Sequence, residues 1–381
     1  MSRPRTLLVT NDLMPQVGGI QVFNHQVLSR LPDAAVFAAA HPRAHEHDET
    51  APYRVIRGPH RYLFPVPAVE AALRDAVAET GADVLLFATP WPVVSLGARL
   101  GLPTAVVSHG NELVTPARLP GARQALRRDL RRADLLYAVS DHTARHLRSL
   151  VRHDGPPVRL LRNGVDVGVF HPDVDGRPIR ERHGFGDDPV VVCVGRLVRR
   201  KGQDTLVAAW PRVRDAVPDA HLLIVGDGPL RDELAESAAA QPAGAVTLAG
   251  RVPWDELAAH HAAGDVFAHP NRTRLGGLDA EGFGVIFLEA QAVGRPVVAG
   301  DSGGSPEALR PGETGLLVDG DDLDAVADAV VSLLQDPDRA EAMGRAGRTF
   351  VEQHHDWDRI VEDLHADLGA LVDGHVPPRQ R

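Results

Sequence analysis

Val190-Val-Val-Cys-Val-Gly-Arg-Leu-Val-Arg-Arg-Lys-Gly-Gln203 is the stretch from which the fold follows. Its first five residues are all apolar, too few for a helix and closed by Gly195, so they read as a strand buried on both faces. A basic loop comes next. From Gln203 to about Ala216 the apolar spacing becomes helical. A doubly buried strand that feeds a loop and then a helix is the repeating unit of a doubly wound parallel sheet.

The same unit recurs on both sides. Upstream, strands are expected at 6–10, 83–88, 104–108 and 135–139, with helices near 20–31, 68–80, 121–133 and 141–152. Downstream, strands are expected at 221–225, 245–248, 266–269, 296–299 and 315–318. Helices should cover about 230–240, 254–263, 285–293, 323–335, 338–355 and 357–372. Between the series, residues 163–189 are rich in Gly, Pro and Asp with little periodicity, and are expected to link two domains, 1–165 and 185–355. An α/β class with two cores suits 381 residues of which 44% are apolar.

Charge divides along the same line. Residues 1–162 hold 20 arginines against 14 carboxylates, whereas 163–381 hold 21 basic and 37 acidic residues, within an overall balance of −10. Two domains with different partners fit this better than one uniform body, and no nucleic-acid partner is expected. The single cysteine, Cys193, excludes an internal disulfide framework, as a reducing, cytoplasmic setting favours. No secretory apolar segment is expected after Arg3 and Arg5, and no run approaches the roughly 20 apolar residues of a membrane span, so any membrane contact should be peripheral.

Two motifs carry chemistry. In Glu281-Gly-Phe-Gly-Val-Ile-Phe-Leu-Glu289 two carboxylates stand eight positions apart across an expected loop-to-helix junction. Helix N–H groups near Gly284 can then face a sugar or phosphate, with one carboxylate before the helix and the other inside it. In the quoted basic loop, Arg196 and Lys201 can neutralise charge that grows on a departing diphosphate without a metal. Lys201 is the only lysine beside 40 arginines. Other patterns are weaker. Gly226-Asp-Gly228 lacks the third glycine of a dinucleotide fingerprint, having Arg231 there, and His41, His45 and His47 share an expected polar loop without a helix or fixed metal-ligand geometry. No metal site is expected.

Taken with Gly18-Gly19, Ser108-His-Gly110, Asn163-Gly-Val-Asp166 and Val225-Gly-Asp-Gly228, these motifs resemble, in order and over essentially the whole chain, family 4 of the retaining glycosyltransferases. The resemblance implies the GT-B fold: two Rossmann-like domains facing across a cleft, with a C-terminal helix near 357–372 crossing back to the first. Arg199-Arg-Lys-Gly-Gln-Asp204 and Thr273-Arg-Leu-Gly-Gly-Leu-Asp-Ala-Glu281 are similar, more narrowly, to actinobacterial GDP-mannose-dependent phosphatidylinositol mannosyltransferases. By that resemblance Arg196 and Lys201 hold the diphosphate, Glu289 the ribose diol and Glu281 a hydroxyl of the transferred sugar. The backbone of Gly18, Gly19, Gly226, Gly282, Phe283 and Gly284 adds contacts, His109 lies near the sugar, and Arg251 and Val252 edge the nucleobase. GDP-mannose is the implied donor, with no metal or other cofactor. The implied acceptor is a phosphatidylinositol mannoside at the inner membrane face. Met14 and Leu275 depart from the family's wording where acceptor and sugar preference are set. Another hexosyl donor with a soluble acceptor, a nucleotide-sugar epimerase and a non-catalytic nucleotide-sugar binder remain open.

The helix expected near 121–133 places Arg123, Arg127, Arg128 and Arg131 on a broad basic face beside a narrower apolar one that carries Leu126 and Leu130. It is the expected docking surface for anionic lipid.

Overall fold

In the computed structural model of the chain, residues 3–16, 18–110, 112–113 and 120–375 are described. The chain divides into two compact units, one running to Asn163 and resumed at Trp357, the other spanning Gly164–Asp356.

The first unit is built on seven strands: β1 (Thr6–Thr10), β2 (Ala35–Ala38), β3 (Arg54–Arg57), β4 (Val84–Phe87), β5 (Thr104–Ser108), β6 (Leu135–Ala138) and β7 (Val158–Leu160). They lie in the order β3-β2-β1-β4-β5-β6-β7, every pair parallel. The second unit has six: β8 (Val190–Val194), β9 (His221–Val225), β10 (Val246–Gly250), β11 (Val266–His269), β12 (Val297–Gly300) and β13 (Gly315–Val318). Their order is β10-β9-β8-β11-β12-β13, again parallel throughout. Both sheets start at a central strand, grow outward one way, then return and grow the other way. Each therefore has a switch point, between β1 and β4 in one and between β8 and β11 in the other, beyond whose carboxyl ends a doubly wound sheet binds its ligands.

Parallel strands need crossover helices on both faces, which is why the central strands are continuous apolar runs. All five residues of β8 are buried, and Cys193 within it has its thiol pushed up to about 12 by burial. Trp210 and Val213, on the helix Gln203–Ala216, pack with β8 and β9 into the second core.

The helix Trp357–Val372 belongs to the first unit, as the GT-B resemblance implies. Trp357 meets Phe23 edge to face at 5.4 Å. Further along, Asp367 accepts a hydrogen bond from the Tyr137 hydroxyl at 2.9 Å and pairs with Arg159 at 3.0 Å.

Some elements depart from expectation. β2 and β3 were not anticipated: β2 is only four residues of mostly small side chains, and β3 is framed by Arg54 and Arg57. Nor was β7, which is three residues long. β10 runs to Gly250 rather than ending at 248, because a register shift before Gly250, at positive φ, prolongs the pairing with β9. His45 and His47 sit on a helix, Ala44–Thr50, and not in a loop. Within 163–189, expected as a linker, the chain forms the helix Arg177–His183, whose Arg180 is fixed on Asp265 at 2.7 Å. Among the described residues no helix is long and apolar enough to cross a membrane.

Candidate functional site

Two loops leave the second sheet side by side at its switch point, Gly195 to Gly202 from β8 and Pro270 to Gly284 from β11. Their side chains meet in one buried ion pair: Lys201 Nζ lies 2.7 Å from Glu281 Oε2, with each residue 9% exposed. Asn271 Nδ2 donates to the same carboxylate oxygen at 3.0 Å and to Ser305 Oγ at 3.3 Å. That leaves Asn271 Oδ1 as the acceptor for His269 Nδ1–H. Burial alone would raise the pKa of Glu281; the Lys201 ammonium, with Arg200 behind it, outweighs burial and holds the carboxyl below its usual range. Burial, and then the same ammonium, pushes His269 down to about 3, so its ring is neutral.

Backbone geometry explains two glycines in this region. Gly303 has φ +58°, and a Cβ there would lie 2.0 Å from the carbonyl oxygen of Glu281, which instead accepts from Gly304 N–H at 2.9 Å. Gly226, at φ +141°, would drive a Cβ to 2.0 Å from the carbonyl oxygen of Gly195. Gly226 thus has a packing reason that requires no ligand, since it lets the turn after β9 support the one after β8.

Glu289 lies inside the helix Val285–Ala292, capped by Gly284 at φ +93°. It too is buried, with Oε2 3.1 Å from His261 Nε2. Phe283 packs on His355 at 5.5 Å, which fixes the turn in front of the helix. The first N–H groups of that helix carry its positive end, immediately after Gly282 and Phe283 in the chain. Arg196 is exposed, and among the described residues its guanidinium has no ion-pair partner. Arg251 and Val252 follow edge strand β10, Arg251 exposed and Val252 half-buried.

Of the residues expected from the sequence, then, Arg196, Lys201, Glu281, Gly282, Phe283, Gly284 and Glu289 share the carboxyl end of β8 and β11, and Gly226, Arg251 and Val252 follow the two strands beyond. Gly18, Gly19 and His109 belong to the first unit. Gly18 caps the helix Gly19–Arg30, near which Gln21 Nε2 donates to Asp12 Oδ1 at 2.9 Å. His109 follows β5, its Nε2 3.2 Å from the Ala88 carbonyl, and burial lowers its pKa. One oxygen of Glu112 gathers Ser108 Oγ at 2.9 Å, His109 N–H and Gly110 N–H at 3.1 Å.

The basic helix is Pro120–Leu130, with Leu126 and Leu130 fully buried. Its arginine face is less free than expected. Arg131 lies just beyond the helix and pairs with Asp154, and Arg128 pairs with buried Asp129 at 3.1 Å. Arg123 remains exposed.

Asn271, His269, His261 and Glu112 were not anticipated as site residues. A signal existed for the first two, since His269-Pro-Asn271 puts polar groups at the end of an apolar run, where a doubly wound strand delivers its ligand loop. Glu112 stands two to four positions after the Ser108-His-Gly110 groups it gathers, so its role was within reach of the sequence, whereas His261 acquires its partner only in three dimensions.

Comparison with known proteins gives matches over both units. Residues 17–169 match Glycosyltransferase Family 4 and residues 175–350 match Glycosyl transferases group 1. The chain is 44% identical to the GDP-mannose-dependent alpha-(1-6)-phosphatidylinositol monomannoside mannosyltransferase of Mycolicibacterium smegmatis, covering 98% of this chain and 100% of the relative. It is 40% identical to a GDP-mannose-dependent monoacylated alpha-(1-6)-phosphatidylinositol monomannoside mannosyltransferase of Corynebacterium glutamicum, covering 94% and 96%. Among solved structures, Anabaena HepE in complex with UDP superposes with a TM-score of 0.80 at 19% identity over 96% of this chain and 100% of that one. Sucrose-phosphate synthase from Thermosynechococcus elongatus gives 0.76 at 24% over 97% and 100%. At these identities the two structures speak to the fold alone.

The pair predicts a titration. Glu281 contributes stability that is fully present above the ordinary carboxylate range and is lost as pH falls through its lowered folded value. In Lys201→Met burial acts without the ammonium, so the Glu281 midpoint, followed by carboxyl carbon NMR, should move upward. An unchanged midpoint would mean that the ion pair does not form in solution.

Proposed function

The chain belongs to the Family 4 glycosyltransferases, enzymes of GT-B fold, and we propose that it transfers mannose from GDP-mannose to a phosphatidylinositol monomannoside with retention of configuration. The observation that carries this reading is the Lys201–Glu281 ion pair at the second sheet's switch point, in a chain 44% identical to a mannosyltransferase of that donor and acceptor.

The roles follow from charge and position. Arg196, exposed and unpaired among the described residues, and Lys201 take the diphosphate; the fork and the compact ammonium compensate the charge that grows as the C1–O bond to phosphate breaks. Glu281 accepts a hydroxyl of the mannose and orients its anomeric carbon. Its partners suit this, since Lys201 and Asn271 both hold Oε2, and the Lys201 ammonium keeps the carboxyl below its usual range and so ionised as an acceptor. Glu289 takes the ribose diol, backbone N–H groups of Gly282, Phe283 and Gly284 meet sugar and phosphate, and Arg251 and Val252 edge the base. Gly18, Gly19 and His109 stand at carboxyl ends of the first sheet's strands and are proposed as that unit's ligand contacts. In the step itself an acceptor hydroxyl bonds to C1 on the face the diphosphate leaves, and its proton passes to a leaving-phosphate oxygen. Cations and helix N–H groups serve the leaving group, so no metal is required. We place the enzyme as a peripheral protein at the inner face of the cell membrane.

With phosphoinositide mannoside as acceptor and EDTA present, the wild type should transfer mannose, and Lys201→Ala and Arg196→Ala should each lower kcat/KM by more than about tenfold with unchanged circular dichroism. Near-normal turnover in either variant, or a strict need for added divalent metal, would contradict the charge assignment.

Membrane docking is proposed through Arg123 and Arg127, which leaves the Arg128–Asp129 and Arg131–Asp154 pairs intact. At about 1 kcal/mol each near an anionic surface, changing both to Gln should lower partition into anionic vesicles by roughly thirtyfold at low salt. Equal co-sedimentation of variant and wild type would favour a soluble acceptor.

A further inference from the structure

The helix Trp254–Ala263 ends beside the helix that carries Glu289, and His261 near its end is 1% exposed. Phe170 stands edge-on to its ring at 5.9 Å, and Phe267 lies 5.2 Å away on a tilted plane. Within this apolar surround His261 has one polar contact on its ring, Nε2 to Glu289 Oε2 at 3.1 Å; Nδ1 is buried without a hydrogen-bond partner among the described residues. That asymmetry decides the tautomer. A proton on Nδ1 would be a buried donor with nothing to accept it, whereas a lone pair there costs less, so the proton sits on Nε2 and is donated to the carboxylate.

We infer that His261 is a positioning residue for the nucleotide's ribose: by occupying Oε2 it fixes the Glu289 carboxylate plane and leaves Oε1 to accept the diol. This rests on the reading of Glu289 as the ribose carboxylate. A carboxylate on a helix can turn about its last bond, and one anchored oxygen removes that freedom before the ligand arrives. His261 acts through Glu289 and not by contact with the substrate.

The experiment compares GDP with 2′,3′-dideoxy-GDP by isothermal titration against the full chain and its His261→Phe and His261→Gln variants. Wild type should bind GDP at least about tenfold more tightly than the dideoxy nucleotide. In His261→Phe the ratio should fall to within about twofold, with dideoxy-GDP affinity unchanged, and in His261→Gln, whose amide can still donate, most of the ratio should return. His261→Leu serves if the Phe variant does not fold. A ratio retained in the Phe or Leu variant, or equal weakening of both nucleotides, would overturn the positioning role and leave the ribose reading of Glu289 standing. A wild type that does not distinguish the two nucleotides would remove that reading, and the inference with it.

Discussion

A lysine ammonium and a glutamate carboxylate 2.7 Å apart, each nine-tenths buried, give up most of their hydration to meet. Such a pair seldom repays that cost in stability, and apolar replacements of similar volume are often neutral or better. Fold stability alone therefore does not account for Lys201 and Glu281. What the pair does achieve is to hold two complementary charges at the carboxyl end of β8 and β11, where a doubly wound sheet receives its ligand. A bound nucleotide sugar could engage each charge separately: the ammonium through phosphate, the carboxylate through a hydroxyl.

Much of the surrounding structure keeps the two loops in place for that pair. Asp204 accepts from Arg199 at 2.9 Å and from Arg272 at 2.5 Å, and Arg272 N–H reaches the Arg200 carbonyl at 2.9 Å. Arg200 in turn pairs with Asp279 at 3.3 Å. The β8 loop and the β11 loop are thus cross-tied, while Ser302, Gly304 and Ser305 hold the Glu281 backbone and Asn271. A site whose charged groups are held before the ligand binds need not reorganise as charge moves in the transition state.

The alternation of doubly buried runs with helical spacing was enough to read a two-unit parallel α/β chain, because the central strands β1, β4, β8 and β11 must be apolar on both faces. β2, β3 and β7 escaped since small residues, flanking arginines and a length of three residues blur the same signal. Lys201 was conspicuous by composition and Glu281 and Glu289 by spacing, yet nothing local said that Lys201 would pair with Glu281 or that His261 would hold Glu289. Those contacts join residues 80 and 28 positions apart and exist only once the strand order is set. The basic helix is the converse case. Its periodicity was legible, but the wheel could not show Asp154 arriving from outside the helix to neutralise Arg131.

The affinities of Glu281→Gln for GDP and for GDP-mannose show whether Glu281 is the carboxylate reserved for the transferred sugar. GDP affinity should stay close to that of the wild type, and whatever affinity the mannose adds should be lost. Equal weakening of both ligands, or a GDP-mannose advantage that survives the substitution, would contradict it.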